Sequence, residues 1–111
     1  MMEIVLATKG HTSVVGLEGR LDAHQSQQVT QKLSEAVSAT SHIVVNLGKV
    51  NFIDSTGLAT LVKGMRHSRE KAGDLVLCEL QQPVRIIFEL TKLDRAFQIY
   101  TSEQAALEAA R

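Results

Sequence analysis

Apolar residues change their spacing several times along this chain, and each change marks an element. Glu3 to Thr8 and Ser13 to Gly19 both read as short β runs. Between them, Lys9-Gly10-His11-Thr12 is a Gly-containing gap of hairpin length, which predicts an antiparallel pair. Gly19-Arg20-Leu21-Asp22 breaks the second run. From Ala23 to Ala39 the spacing becomes helical, with Val29, Leu33, Ala36 and Val37 on one side and Gln, Ser, Thr and Lys on the other. Asp22 stands at the start of that helix as a cap or first-turn acid. Ile43-Val44-Val45-Asn46-Leu47 then predicts a buried strand.

The stretch that follows carries the chemistry. Asp54, Ser55, Thr56 and Gly57 form a polar break, after which Leu58, Leu61, Val62 and Met65 recur at i, i+3, i+4 and i+7. That is one face of a helix, predicted from about Thr56 to Lys71. Asp, Ser and Thr oxygens accept from the unpaired first N–H groups of a helix, so the cluster is in the first instance a good cap. Gly73 is placed to end the helix in a left-handed conformation. Leu75 to Leu80 predicts the next strand, and Pro83 opens a short helix with Val84, Ile87 and Phe88 as its apolar side. Phe97 to Tyr100 alternates like a half-exposed edge strand. Ser102-Glu103 opens a last helix to Arg111, with Ala106, Leu107 and Ala110 as its contact side.

The order is therefore β-β-α-β-α-β-α-β-α. Strands alternating with helices imply mostly parallel pairing after an antiparallel start. In such sheets, helices that follow strands begin at the carboxyl edge, where function usually gathers. If the strands before Asp22 and Asp54 are neighbours, both acidic turns share one rim.

Composition narrows the classes. With 111 residues, 44% hydrophobic and 22% charged, and no repeat or linker, residues 1–111 are expected to form one domain. Only 4% is aromatic and Trp is absent, so Val, Leu, Ile and Ala must build the core. Lys+Arg and Asp+Glu balance at 12 each, without the basic excess of a nucleic-acid binder. Cys78 is the one cysteine, so no internal disulfide forms and Cys-pair metal sites are excluded; within Leu75-Val76-Leu77-Cys78 it reads as a small buried hydrophobe. No basic leader precedes Ile4-Val5-Leu6, and no run approaches about 18 apolar residues, so a cytoplasmic protein without membrane attachment is expected.

Gly19-Arg20-Leu21-Asp22 before one helix and Phe52-Ile53-Asp54-Ser55-Thr56-Gly57-Leu58 before the next resemble the bacterial anti-sigma factor antagonists, members of the STAS group. The resemblance extends over element order and chain length, and implies an α/β, STAS-like single domain. Its sheet would be mixed and mostly parallel, with an antiparallel N-terminal hairpin strand and about four helices. It also implies a phosphorylation-gated partner switch. The acceptor would be Ser55, phosphorylated by an anti-sigma factor that is itself a serine kinase and reset by a PP2C-type phosphatase. The unphosphorylated form would bind the anti-sigma factor and release the sigma factor. Asp22, His24, Asp54, Ser55, Thr56 and Gly57 would form the partner-binding set, with no cofactor and no metal. Ala59 departs from the family, where many members have a second Gly; it stiffens the helix by about 1 kcal/mol of propensity and leaves the hydroxyl untouched.

Physical chemistry suits a phosphoserine here. A phosphoryl group adds about −1.5 to −2 charges, which a helix N-terminus tolerates. The effect would fall on the partner. Thr56 is the competing acceptor, about 100° further round the helix.

Other chemistries fit less well. His24 and Asp22 near Ser55 suggest a nucleophile with its base, but residues two apart on a helix do not face each other, so Asp22 could orient His24 only from outside the helix. Gly-x-Ser-x-Gly is absent, and the Asp-Ser/Thr-Gly of aspartic proteases would need its Gly one residue earlier and a second carboxylate. An enzyme is not expected. His11, His42 and His67 are scattered, which argues against a metal and for solvated surface residues. Lys63, Arg66 and Arg69 share a helix side as a solvated face or a docking patch, with Lys71 just beyond. No Gly-rich phosphate loop follows a strand, which ranks nucleotide binding below partner binding. The remaining alternative is a STAS regulatory module of another signalling assembly, with a non-sigma partner or a bound nucleotide.

Overall fold

The computed structural model describes residues 2–109. Its elements are β1 (Glu3–Lys9), β2 (Thr12–Leu21), α1 (Ser26–Ala39), β3 (His42–Ile53), α2 (Ser55–Glu70), β4 (Asp74–Cys78), α3 (Gln82–Leu90), a 3₁₀ turn (Leu93–Arg95), β5 (Ile99–Tyr100) and α4 (Glu103–Ala109). The strands form one sheet in the order β1-β2-β3-β4-β5. β1 is antiparallel to β2 and every other pairing is parallel. The predicted α/β class, element order and mixed sheet hold.

Helices α1, α2 and α3 cover one face. There Val29 and Leu33, Leu58 and Leu61, and Val84 and Phe88 close over Val15, Leu21, Val45, Leu47 and Leu77. Phe97 joins this core with its ring edge-on to Phe88, centroids 5.7 Å apart. The opposite face holds a smaller cluster of Val14, Val44, Cys78 and Ala106 beneath α4. No helix among the described residues is long and apolar enough to cross a membrane.

Several boundaries differ from the sequence reading. β3 runs to Ile53 because Val50 and Ile53 are buried and Gly19, Arg20 and Leu21 stay paired with Val50, Phe52 and Ile53. The Gly19 stretch is thus an irregularity within β2, with Gly19 at φ +124 and register shifts on either side, rather than its end. α1 starts at Ser26, not Ala23, and its N-cap is Gln25 without a side-chain capping bond. Gln25 Oε1 instead accepts from the Met2 N–H at 3.0 Å. At the end of α2 the left-handed residue is Ala72 (φ +62), not Gly73. Gly73 is needed for space, since a Cβ there would collide with the Ser41 carbonyl. β4 stops at Cys78 because Glu79 adopts φ +61. β5 is two residues long, and Phe97 turns inward ahead of it. Ala110 and Arg111, the expected end of α4, lie outside the described residues.

Cys78 is fully buried, as a small hydrophobe should be. Burial pushes its thiol up to about 12, and the Glu79 and Glu103 carboxylates act in the same direction. An unfolded cysteine ionises near about 8.5, so above that pH the unfolded chain releases a proton that the folded chain retains. Stability should therefore fall as pH rises from about 8.5 toward 12. Urea melts across that range should show a shallower decline for Cys78→Ala than for the parent.

Candidate functional site

Parallel pairing of β2 with β3 brings the ends of both strands to one edge, with Leu21 opposite Ile53. The two following turns therefore lie side by side, and Asp54 joins them. Its backbone N–H donates to the Leu21 carbonyl at 3.2 Å. Its Oδ1 accepts from the Gly57 N–H at 2.8 Å, which makes it the N-cap of α2. Its Oδ2 accepts from the Ala23 N–H at 3.1 Å in the neighbouring turn. One carboxylate thus neutralises an orphan donor of the helix and a donor of the adjacent loop.

Asp22 acts locally. Its Oδ1 accepts from the His24 N–H at 3.0 Å, and its carbonyl accepts from the Gln25 N–H at 3.0 Å, closing a tight turn. It does not cap α1, which begins four residues later at Ser26. Arg20 Nε lies 3.8 Å from Asp22 Oδ2, and the Arg20 guanidinium sits 3.9 Å from the centroid of the Phe52 ring. This cation–π contact ties the last residues of β2 and β3 from above.

Gly57 is set by close approach. A Cβ at this position would strike the Leu21 carbonyl oxygen and lie 2.9 Å from Leu21 Cγ. Any side chain would push α2 away from β2 and open the joint that Asp54 closes.

Ser55 is the first residue of α2 and is exposed, as are Thr56 and His24. Among the described residues, no hydrogen bond engages the Ser55 hydroxyl. Asp54 occupies the Gly57 N–H, and the Leu58 N–H reaches the Asp54 carbonyl at 2.9 Å. The N–H groups of Ser55 and Thr56 are then the unpaired donors expected at a helix start. The structure therefore gathers Asp22, His24, Asp54, Ser55, Thr56 and Gly57 on one rim.

From Ser55 an open groove of about 890 Å³ runs along α2, lined by Leu58, Ala59, Val62, Lys63, Arg66 and Leu93, among others. Its floor is apolar and its polar lining mixed, with Lys63 and Arg66 beside His67 and Glu70. The sequence reading found Lys63 and Arg66 but not the groove, because Leu93 reaches it from a 3₁₀ turn that carries no periodic signal. Arg69 is not part of it: its Nε donates to Asp74 Oδ1 at 3.0 Å and its Nη2 to the Ala96 carbonyl at 2.9 Å. His11 and His67 are exposed and His42 is half-buried. Among the described residues no three metal-ligating side chains converge.

The α/β fold thus presents the Ser55 hydroxyl, exposed and without a hydrogen bond among the described residues, at the sheet rim beside a groove with an apolar floor. The chain belongs to the STAS domain family, whose model matches residues 3–106. It is 31% identical over 96 residues to an anti-sigma F factor antagonist of Paenibacillus polymyxa, covering 85% of this chain and 82% of that protein. Among solved structures, an anti-sigma factor antagonist from Mycobacterium paratuberculosis superposes with TM-score 0.87 at 25% identity, covering 100% of this chain and 95% of that one. The Bacillus cell fate determinant SpoIIAA in its phosphorylated form superposes with TM-score 0.77 at 27% identity, covering 98% and 100%.

Two substitutions test the joint. Asp54→Ala leaves the Gly57 and Ala23 N–H groups without their acceptor and should cost about 1–2 kcal/mol for the cap, with more for the second bond. Amide exchange at Ala23 and Gly57 should accelerate with it. Gly57→Ala should destabilise by about 1–3 kcal/mol in urea melts, despite the better helix propensity of Ala.

Proposed function

We propose that this chain is a non-enzymatic anti-sigma factor antagonist of the cytoplasm, gated by phosphorylation of Ser55. Unphosphorylated, it binds an anti-sigma factor that is also a serine kinase and so releases the sigma factor. The kinase transfers a phosphoryl group to Ser55, and a PP2C-type phosphatase removes it. The observation that carries this reading is the Ser55 hydroxyl: exposed, without a hydrogen-bond partner among the described residues, and at the first position of α2. The names of the relatives, and the solved phosphorylated form of SpoIIAA, support the same assignment.

The chemistry of the rim explains how one phosphate acts. The free N–H groups of Ser55 and Thr56 and the positive end of the α2 dipole offset the added charge, so the domain stays folded. Asp54 keeps both its bonds, because its oxygens point at Gly57 and Ala23. What changes is the surface the partner meets. A phosphate charge about 4 Å from an acidic partner group costs about 4 kcal/mol at an effective dielectric near 20. That is about a thousandfold in affinity. Asp22, His24, Thr56 and the groove along α2 form the remaining contact surface, with Leu58, Val62 and Leu93 supplying apolar area. Lys63 and Arg66 offer donors to acidic partner groups there, and Glu70 beside them offers an acceptor to basic ones.

Incubation with the anti-sigma kinase and ATP, followed by peptide mapping, should place a single phosphate on Ser55; modification of Thr56 alone would move the acceptor. In calorimetric titrations with the anti-sigma factor, Ser55→Ala should bind whether or not ATP is present. Ser55→Asp should bind at least tenfold more weakly, since about 1.4 kcal/mol of repulsion suffices for that factor. Equal affinity of Ser55→Asp and the parent would remove the charge mechanism.

A further inference from the structure

We infer that the outer edge of β1 is a self-pairing surface, on which a second copy of this chain adds its own β1 antiparallel across a twofold axis centred on Leu6. β1 is an edge strand paired only with β2. The other edge, β5, is two residues long and offers little ladder. β1 is seven residues long, and Ile4-Val5-Leu6-Ala7-Thr8 contains no charge, proline or irregularity of register. Those are the features by which edges normally resist pairing. Val5 is 65% exposed and Leu6 41%, both large for aliphatic side chains.

The direction of the backbone fixes the register. The hairpin pairs Lys9 with Thr12 across Gly10 and His11, so the odd residues of β1 exchange hydrogen bonds with β2. The even residues Ile4, Leu6 and Thr8 then point their N–H and C=O groups outward. Met2 corroborates this alternation: its N–H goes to Gln25 Oε1 at 3.0 Å and its carbonyl accepts from Gln28 Nε2 at 3.2 Å, away from β2. Those bonds also close the ladder at its start.

Antiparallel addition centred on Leu6 is the register in which these groups meet. Leu6 pairs with Leu6 of the second copy, and Ile4 with its Thr8. On the open face of the sheet, Val5 then lies against Ala7 of the other copy, and Glu3 against its Lys9. The charges are complementary, and the twofold axis makes the ion pair twice. Glu3 gains most, because within one chain it sits opposite Glu18, a like-charge pair. Lys9 is 54% exposed at the side chain and, among the described residues, meets only Glu103, at 3.3 Å, leaving donors for a second acid. A ladder of this length buries less than a standard protein interface, so the dimer should be weak and reversible.

Sedimentation velocity of the full chain across the micromolar to millimolar range should show a concentration-dependent dimer. Leu6→Pro deletes an outward N–H and no bond of the β1–β2 ladder, and should abolish association with the far-ultraviolet spectrum unchanged. Glu3→Lys and Lys9→Glu should each weaken the homodimer about tenfold or more, because each sets like charges opposite one another twice. Mixed together, these two variants regain opposite charges at both pairs and should form a heterodimer that neither forms alone. A monomer at every concentration would overturn the inference, leaving the edge at most to a strand from another protein. A dimer indifferent to the charge variants, or with no gain on mixing, would overturn it as well.

Discussion

The Asp54 carboxylate is the point at which two turns, one helix and two strands become a single rigid rim. Its two oxygens are divided between donors that belong to different loops, Gly57 of its own and Ala23 of the neighbour. An ionised acceptor makes stronger hydrogen bonds than a neutral one. Neither donor has another partner in reach by virtue of local structure: the first is an orphan of the α2 start, the second lies in an irregular turn. The same residue anchors its own backbone on Leu21. This arrangement requires α2 to approach β2 so closely that only glycine is accommodated at position 57. The acid and the glycine are therefore one constraint expressed at two positions.

Ser55 lies between them in sequence, and that placement governs what a modification there can do. An aspartate whose oxygens were free would turn toward or away from a new phosphate, and the loop would move with it. Here the oxygens are committed, the φ and ψ of the helix start are set, and the neighbouring turn is tied down. In the proposed switch, a charge added to the hydroxyl would meet oxygens already bonded elsewhere, and its energy would appear in the encounter with the partner. A soft loop would dissipate the same charge by rearranging. On the proposed reading, these committed bonds are why electrostatics, rather than a change of shape, would carry the signal.

Much of this was legible in the chain. Periodicity located every helix core, and a cap within Asp54-Ser55-Thr56 followed from residue type and position, while Ser55 was singled out only by the family resemblance. What failed did so for identifiable reasons. Gly48, Lys49 and Asn51 interrupt the apolar pattern of β3, yet the strand persists because β2 supplies a partner along its length. Tertiary pairing there overrides local polarity. Asp22 has the residue type of a cap and is adjacent to a helix, so nothing local distinguishes the Asx-type turn it makes. The bridge from Asp54 to Ala23 spans 31 positions and depends on strand adjacency, which no local pattern encodes. The left-handed Ala72 was hidden by the glycine beside it, whose role is to clear the Ser41 carbonyl.

The sheet also constrains how its edge and its rim relate. β1 runs antiparallel to β2, so its first residues finish on the same rim as the turn at Asp22, and Gln25 in that turn holds Met2. With the twofold axis at Leu6, the hairpin tip of the second copy reaches Met2 and stops there. It comes beside the β2–α1 turn, while Ser55 opens α2 just past the end of β3, two strands from β1 and about 10 Å across the sheet. The groove along α2 runs toward Leu93, away from that edge. Self-pairing at β1 and partner contact at Ser55 thus use different surfaces, and the Gln25 turn that holds Met2 lies between them. Coupling between them would run through the contacts that join β2 and its turn to β3 and α2: the Ala23 and Leu21 bonds to Asp54, the Arg20–Phe52 contact and the β2–β3 ladder.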